Sequence, residues 1–163
     1  MKRSLLTLPR SALGLALLFG VAGCSPGSYE DVARPALVLT ISEAGGFCSS
    51  VHVVDANGVV WTGGGCGDTS RSLEQTARRV SAADRAPLDD AMDEVLALSS
   101  DPECDLTSPS GRRYRFLRTL ASGGADEVRQ CEPGVPLAAA RLAGQLEALG
   151  AGTADAGAAA DGG

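Results

Sequence analysis

The segment Asp55-Ala56-Asn57-Gly58 constrains the fold more than any other. Apolar residues fall at odd positions on both sides of it, Phe47, Val51 and Val53 before and Val59 and Trp61 after, the period of two that a half-buried strand requires. Asp at the first turn position and Gly at the fourth fit a type I turn closed by a left-handed Gly bulge. Asp55 and Val59 then flank a three-residue loop, and directly opposed residues sum to 114. Val53 faces Trp61, and Cys48 faces Cys66 on the other side of the strand pair. Using Asn57-Gly58 as a two-residue turn instead shifts the sum to 115 and sets Gly67 opposite Cys48. The first register is adopted here, and it implies a disulfide from Cys48 to Cys66.

Around this hairpin the remaining elements follow from patterning. Ala36 to Ile41 is a short apolar, β-branched run read as a buried strand, and Gly67 to Arg79 reads as a polar loop. Ser81-Ala82-Ala83-Asp84 has the form of an N-terminal cap, and Pro87, tolerated only near a helix start, places the regular helix over residues 87–98. Leu88, Met92, Val95 and Leu96 form its buried stripe. Arg113 to Leu120 and Glu127 to Cys131 make a second hairpin around Ser122-Gly123-Gly124, and Leu137 to Leu149 a final amphipathic helix. The expected fold is α+β: a small antiparallel sheet of one strand plus two hairpins, with two helices on one face. Residues 36–149 form that single domain. Its four aromatic residues, Phe47, Trp61, Tyr114 and Phe116, give it little core and make covalent staples valuable.

The N-terminus addresses a different question. Lys2, Arg3 and Arg10 precede an apolar run from Ala12 to Phe19, the layout of a secretory signal too short to span a bilayer. It ends in Val21-Ala22-Gly23-Cys24, which resembles the lipobox of bacterial lipoproteins at all four positions: an aliphatic residue, two small residues, then cysteine. The resemblance implies removal of residues 1–23, lipid on the Cys24 thiol and a further acyl chain on its freed amine, so that the membrane becomes a partner through lipid. Ser25 after the cysteine favours the outer membrane under that family's sorting rule. Residues 24–35 read as a tether reaching about 35 Å when extended, and 150–163, built only of Ala, Gly, Thr and Asp, as a tail with nothing to bury. Without residues 1–23 the chain has eleven arginines against twenty carboxylates, a net charge of −9. Such a balance, with no basic stripe, argues against nucleic acid.

Four cysteines remain beyond Cys24. They contain no Cys-x-x-Cys pair and have one histidine, His52, to accompany them, so a zinc site is not expected and neither is any cofactor. With Cys48 paired to Cys66, Cys104 pairs with Cys131. A nucleophile–histidine pair would have to use His52, which the register places on an outward face beside Val54 and Thr62, and no Gly-x-Ser-x-Gly elbow occurs. Enzyme function is therefore the least favoured class. Arg112, Arg113, Arg115 and Arg118 crowd one strand, Arg113 and Arg115 on one face and Arg112 and Arg118 on the other; they read first as an exposed strand face with snorkelling end residues, and alternatively as a clasp for an anionic envelope protein.

Two resemblances bear on the domain. The Phe47-Cys48 strand, tight turn, second strand and Ser81-led helix resemble small uncharacterised secreted domains found in bacterial lipoproteins, which implies no activity. The opening strand Ala36-Leu37-Val38-Leu39-Thr40, followed by two consecutive disulfides, is more weakly similar to the subtilisin-inhibitor family. There the protease-binding loop starts just after the third cysteine, which implies Leu106 and Thr107 as the residues entering a protease. Asp105, where a proline is usual, and the extra C-terminal helix depart from that pattern. The reading adopted is a non-catalytic binding or structural domain, with protease inhibition as the alternative.

Overall fold

Leu37, Val38 and Leu39 are buried one after another, so their strand must be covered on both faces and takes a central place in the sheet. The computed structural model describes residues 27–43, 45, 48–66, 72–101, 104 and 111–151. Its strands are β1 (Leu37–Ser42), β2 (Cys48–Val54), β3 (Val59–Cys66), β4 (Glu74–Arg79), β5 (Arg113–Thr119) and β6 (Ala125–Cys131). They form one antiparallel sheet in the order β4-β3-β2-β1-β5-β6. Two helices, α1 (Ala82–Leu96) and α2 (Leu137–Gly150), pack on one face, as the α+β pattern requires.

The first hairpin has the expected register. Val53 pairs with Trp61 and Cys48 with Cys66, whose Cα atoms are 4.0 Å apart and whose sulfurs are bonded. The turn is held by the Asp55 carboxylate. One of its oxygens accepts from the backbone N–H of Asn57 at 2.8 Å and of Val59 at 2.9 Å, the other from the Trp61 indole at 3.2 Å. Gly58 lies at φ +72°, and a β-carbon there would stand 2.1 Å from the Val80 carbonyl oxygen, so no other residue fits. The second hairpin pairs Arg113 with Cys131 through to Thr119 with Ala125, starting its return strand two residues earlier than expected. Cys104 is bonded to Cys131.

Three expectations are corrected. Residues 74–79 are a strand, not loop: β4 is an edge, with Glu74, Gln75, Arg78 and Arg79 exposed and Thr76 buried, and edges are charged to block pairing with other chains. The helix begins at Ala82 rather than Pro87, capped by Ser81, whose hydroxyl accepts from the Asp84 N–H at 3.2 Å. Those first turns are tied to the sheet by Arg85, which donates to the carbonyl of Asp55 at 2.6 Å and bonds Asp89 at 2.9 Å, so the hydrogen bond Pro87 cannot make is tolerated.

The third correction concerns the tether. Tyr29–Asp31 form a 3₁₀ turn capped by Ser28, Val32 and Ala36 are buried, and the Ala36 N–H donates to the Thr119 hydroxyl at 2.8 Å. Val32, Ala36, Val38, Val53, Leu73 and Leu117 make a second apolar cluster on the sheet face opposite the helices, with Tyr29 and Trp61 packed against it. The first cluster, with Leu39, Phe116, Met92 and Leu142 at its centre, lies under the helices. Residues 28–35 thus belong to the folded domain.

Candidate functional site

Strand alternation sorts the β5 arginines as expected. Arg118, on the helix side, bonds Asp93 of α1 and lies 3.5 Å from Asp126. Arg112 donates its backbone N–H to the Glu132 carboxylate at 3.1 Å, and its guanidinium is 3.8 Å from Glu147 of α2. That backbone bond and the Tyr114 hydroxyl hold the Glu132 carboxyl below its ordinary range.

Arg113 and Arg115 stand on the helix-free side. Arg129 joins them there, because it is the cross-strand partner of Arg115. Like charges directly opposed destabilise a sheet, and Glu127 resolves the conflict: its carboxylate accepts from Arg115 at 2.5 Å and from Arg129 at 2.8 Å. Both arginines hold the Glu127 carboxyl below the usual range, Arg115 most strongly. Arg115 also donates to the Tyr29 hydroxyl at 3.5 Å and lies 6.0 Å from the centre of that ring, while its Nε is buried with no partner. A cleft of about 250 Å³ opens here, lined by Thr40, Ser42, Cys104, Arg113, Arg115 and Arg129. Sequence reasoning missed Arg129, although the turn at Ser122-Gly123-Gly124 already sets it across from Arg115.

His52 is not on an outward face. The even-numbered side of β2 is the side the helices cover, and the C-terminal end of α2 lies on it. A β-carbon on Gly150 would stand 2.5 Å from His52 Nδ1 and 2.6 Å from the Thr62 methyl, so the helix packs there only through glycine. Nδ1 is buried with no hydrogen-bond partner. Burial pushes the imidazole below its ordinary value, with the Glu147 carboxylate opposing. Between the folded-state value and the ordinary one, about 6.5, the unfolded chain binds a proton that the folded chain does not, so stability falls as pH drops through this range. Urea titrations should show a loss of unfolding free energy from pH 7 to pH 5 that shrinks in His52→Gln; an unchanged loss in the variant would assign it elsewhere.

A wider cleft of about 420 Å³ lies between β4, the start of α1 and the end of α2, lined by Arg79, Val80, Asp84, Pro87, Leu88 and Leu149. Among the described residues no three His, Cys, Asp or Glu side chains gather as a metal site, and no helix is long and apolar enough to cross a membrane. Leu106, Thr107 and Cys24 lie outside the described residues; Cys104, which precedes the first two, is fixed to β6 by its disulfide. No protein-family model matches the chain, and no curated protein matches it significantly in sequence.

Proposed function

We propose that this chain is an exported lipoprotein, anchored to a bacterial membrane, most simply the outer one, through lipid on Cys24, and that its domain is a non-catalytic binding or structural module. The carrying observation is cysteine usage. Of five cysteines, four form the disulfides Cys48–Cys66 and Cys104–Cys131, and the fifth is the lipobox residue Cys24 behind a charged, apolar leader. Disulfides persist in oxidising compartments, which supports export of the domain that carries them. Two or more acyl chains give anchoring that a single chain cannot.

The test is Cys24→Ser in a host with a lipoprotein-processing pathway. The wild-type chain should fractionate with membranes and resist high salt. The variant should remain as uncleaved precursor or appear soluble. Equal, salt-resistant membrane association of both proteins, with residues 1–23 removed from each, would refute anchoring through Cys24.

A further inference from the structure

The helix-free face is where the polypeptide enters the domain, and the distance from there to the lipid is short. Tyr29 sits on that face, against the second apolar cluster and beside Arg115. Only four residues lie between it and Cys24, and the five backbone steps have a contour of about 18 Å at most. A domain of this length has a radius of gyration of about 13 Å. So short a leash cannot pass round the sheet and helix layer and still reach the bilayer with the helices toward the membrane.

We infer that the helix-free face of the sheet, with Tyr29, Trp61, Arg113, Arg115 and Arg129, is the surface held against the membrane, its occupant being the zwitterionic phospholipid headgroup layer. This rests on lipidation of Cys24. The chemistry of the face matches that layer. Guanidinium groups, each with five N–H donors, suit lipid phosphates even when already engaged by a carboxylate. Glu127 and the exposed Glu30 suit headgroup ammonium groups. Tyr29 and Trp61 are half-buried rings of the residue types favoured at the membrane–water boundary, the Trp61 indole N–H being held by Asp55 so that the ring itself is left for outward contact. The charge of −9 carried from Cys24 onward opposes a strongly anionic surface, which selects the zwitterionic one.

Trp61 is the sole tryptophan, so it reports on this face without a label. Purified, lipid-bearing full-length protein is placed in phosphatidylethanolamine–phosphatidylcholine vesicles whose headgroups carry a nitroxide quencher. A second variant, Trp61→Phe with Leu137→Trp, moves the reporter to the start of α2, on the other side of the sheet, where Leu137 is 64% exposed. Flotation is measured on the same samples. Floating protein should show several-fold stronger quenching of Trp61 than of the reporter at 137. Floating protein with equal quenching, or stronger quenching at 137, overturns the orientation and leaves lipid anchoring standing. Protein that does not float overturns the anchoring and the orientation with it.

Discussion

Reducing both disulfides should remove roughly half or more of the domain's stability. Cys48–Cys66 and Cys104–Cys131 close segments with sequence separations of 18 and 27. Restricting the unfolded chain over such loops is worth about 3 to 4 kcal/mol each. Together that is roughly half or more of the stability of a domain this size, taken at about 0.1 kcal/mol per residue. The two bonds act at different places. Cys48–Cys66 closes the open end of a hairpin already paired over seven residue pairs. Cys104–Cys131 ties the connection after α1 to the edge strand β6. A guanidinium titration with and without reductant, and of the two double Cys→Ala variants, measures each contribution. A midpoint unmoved by reductant would mean that the sheet and its two clusters suffice alone.

A large effect from a single polar side chain is expected at Asp55. It is 3% exposed yet charged, and three N–H donors converge on its carboxylate. Asp55→Ala removes all three bonds, leaving the N–H groups of Asn57 and Val59 and the Trp61 indole without that acceptor. A hydrogen bond to a charged group contributes about 1.5 to 3 kcal/mol, and part is recovered where water enters, so the loss should be about 3 to 4 kcal/mol. Asp55→Asn keeps one acceptor oxygen for the two backbone donors but can turn an N–H toward Trp61, so it should cost about half as much. Thermal melts rank the three proteins. Equal stability of Asp55→Ala and the parent would show that the turn is held by Gly58 and strand pairing alone.

What could be read from residues alone follows where the local chemistry leaves few answers. Asp55, Gly58 and the odd-numbered apolar residues narrow the hairpin to two registers, of which the structure has the one that pairs Cys48 with Cys66, and with that pair assigned the other two cysteines have one choice. The second hairpin and α2 were legible for the same reason: paired glycines at a turn and leucines at helical spacing. β4 was not. An edge strand is marked by charge, and Glu74-Gln75-Thr76-Ala77-Arg78-Arg79 has the composition of a loop until a partner strand is known. The outward placement of His52 failed because the sheet has two apolar faces. Leu37-Val38-Leu39 already carried that information, since consecutive buried residues in a strand require cover on both sides. The tether failed likewise: Tyr29 and Val32 are isolated apolar residues whose value depends on the cluster they meet.

The arginine face was half legible. Alternation separated Arg113 and Arg115 from Arg112 and Arg118, but the bridge through Glu127 to Arg129 belongs to the pairing of β5 with β6. Leu106 and Thr107 remain the residues through which a protease inhibitor would act. An envelope module that is not an inhibitor predicts that the soluble domain leaves a subtilisin-like protease fully active, and that Leu106→Asp changes nothing in that assay.

Membrane anchoring through Cys24 is the claim on which the rest of the functional reading depends, and the mass of the N-terminal peptide decides it. Protein extracted from the membranes of its own host, digested and analysed by mass spectrometry, should yield a peptide beginning at Cys24 and carrying a diacylglyceryl group, with or without a further acyl chain on the amine. A peptide from the same membranes that continues unmodified through Gly23-Cys24-Ser25, or a mature chain starting elsewhere with a free Cys24 thiol, would contradict it.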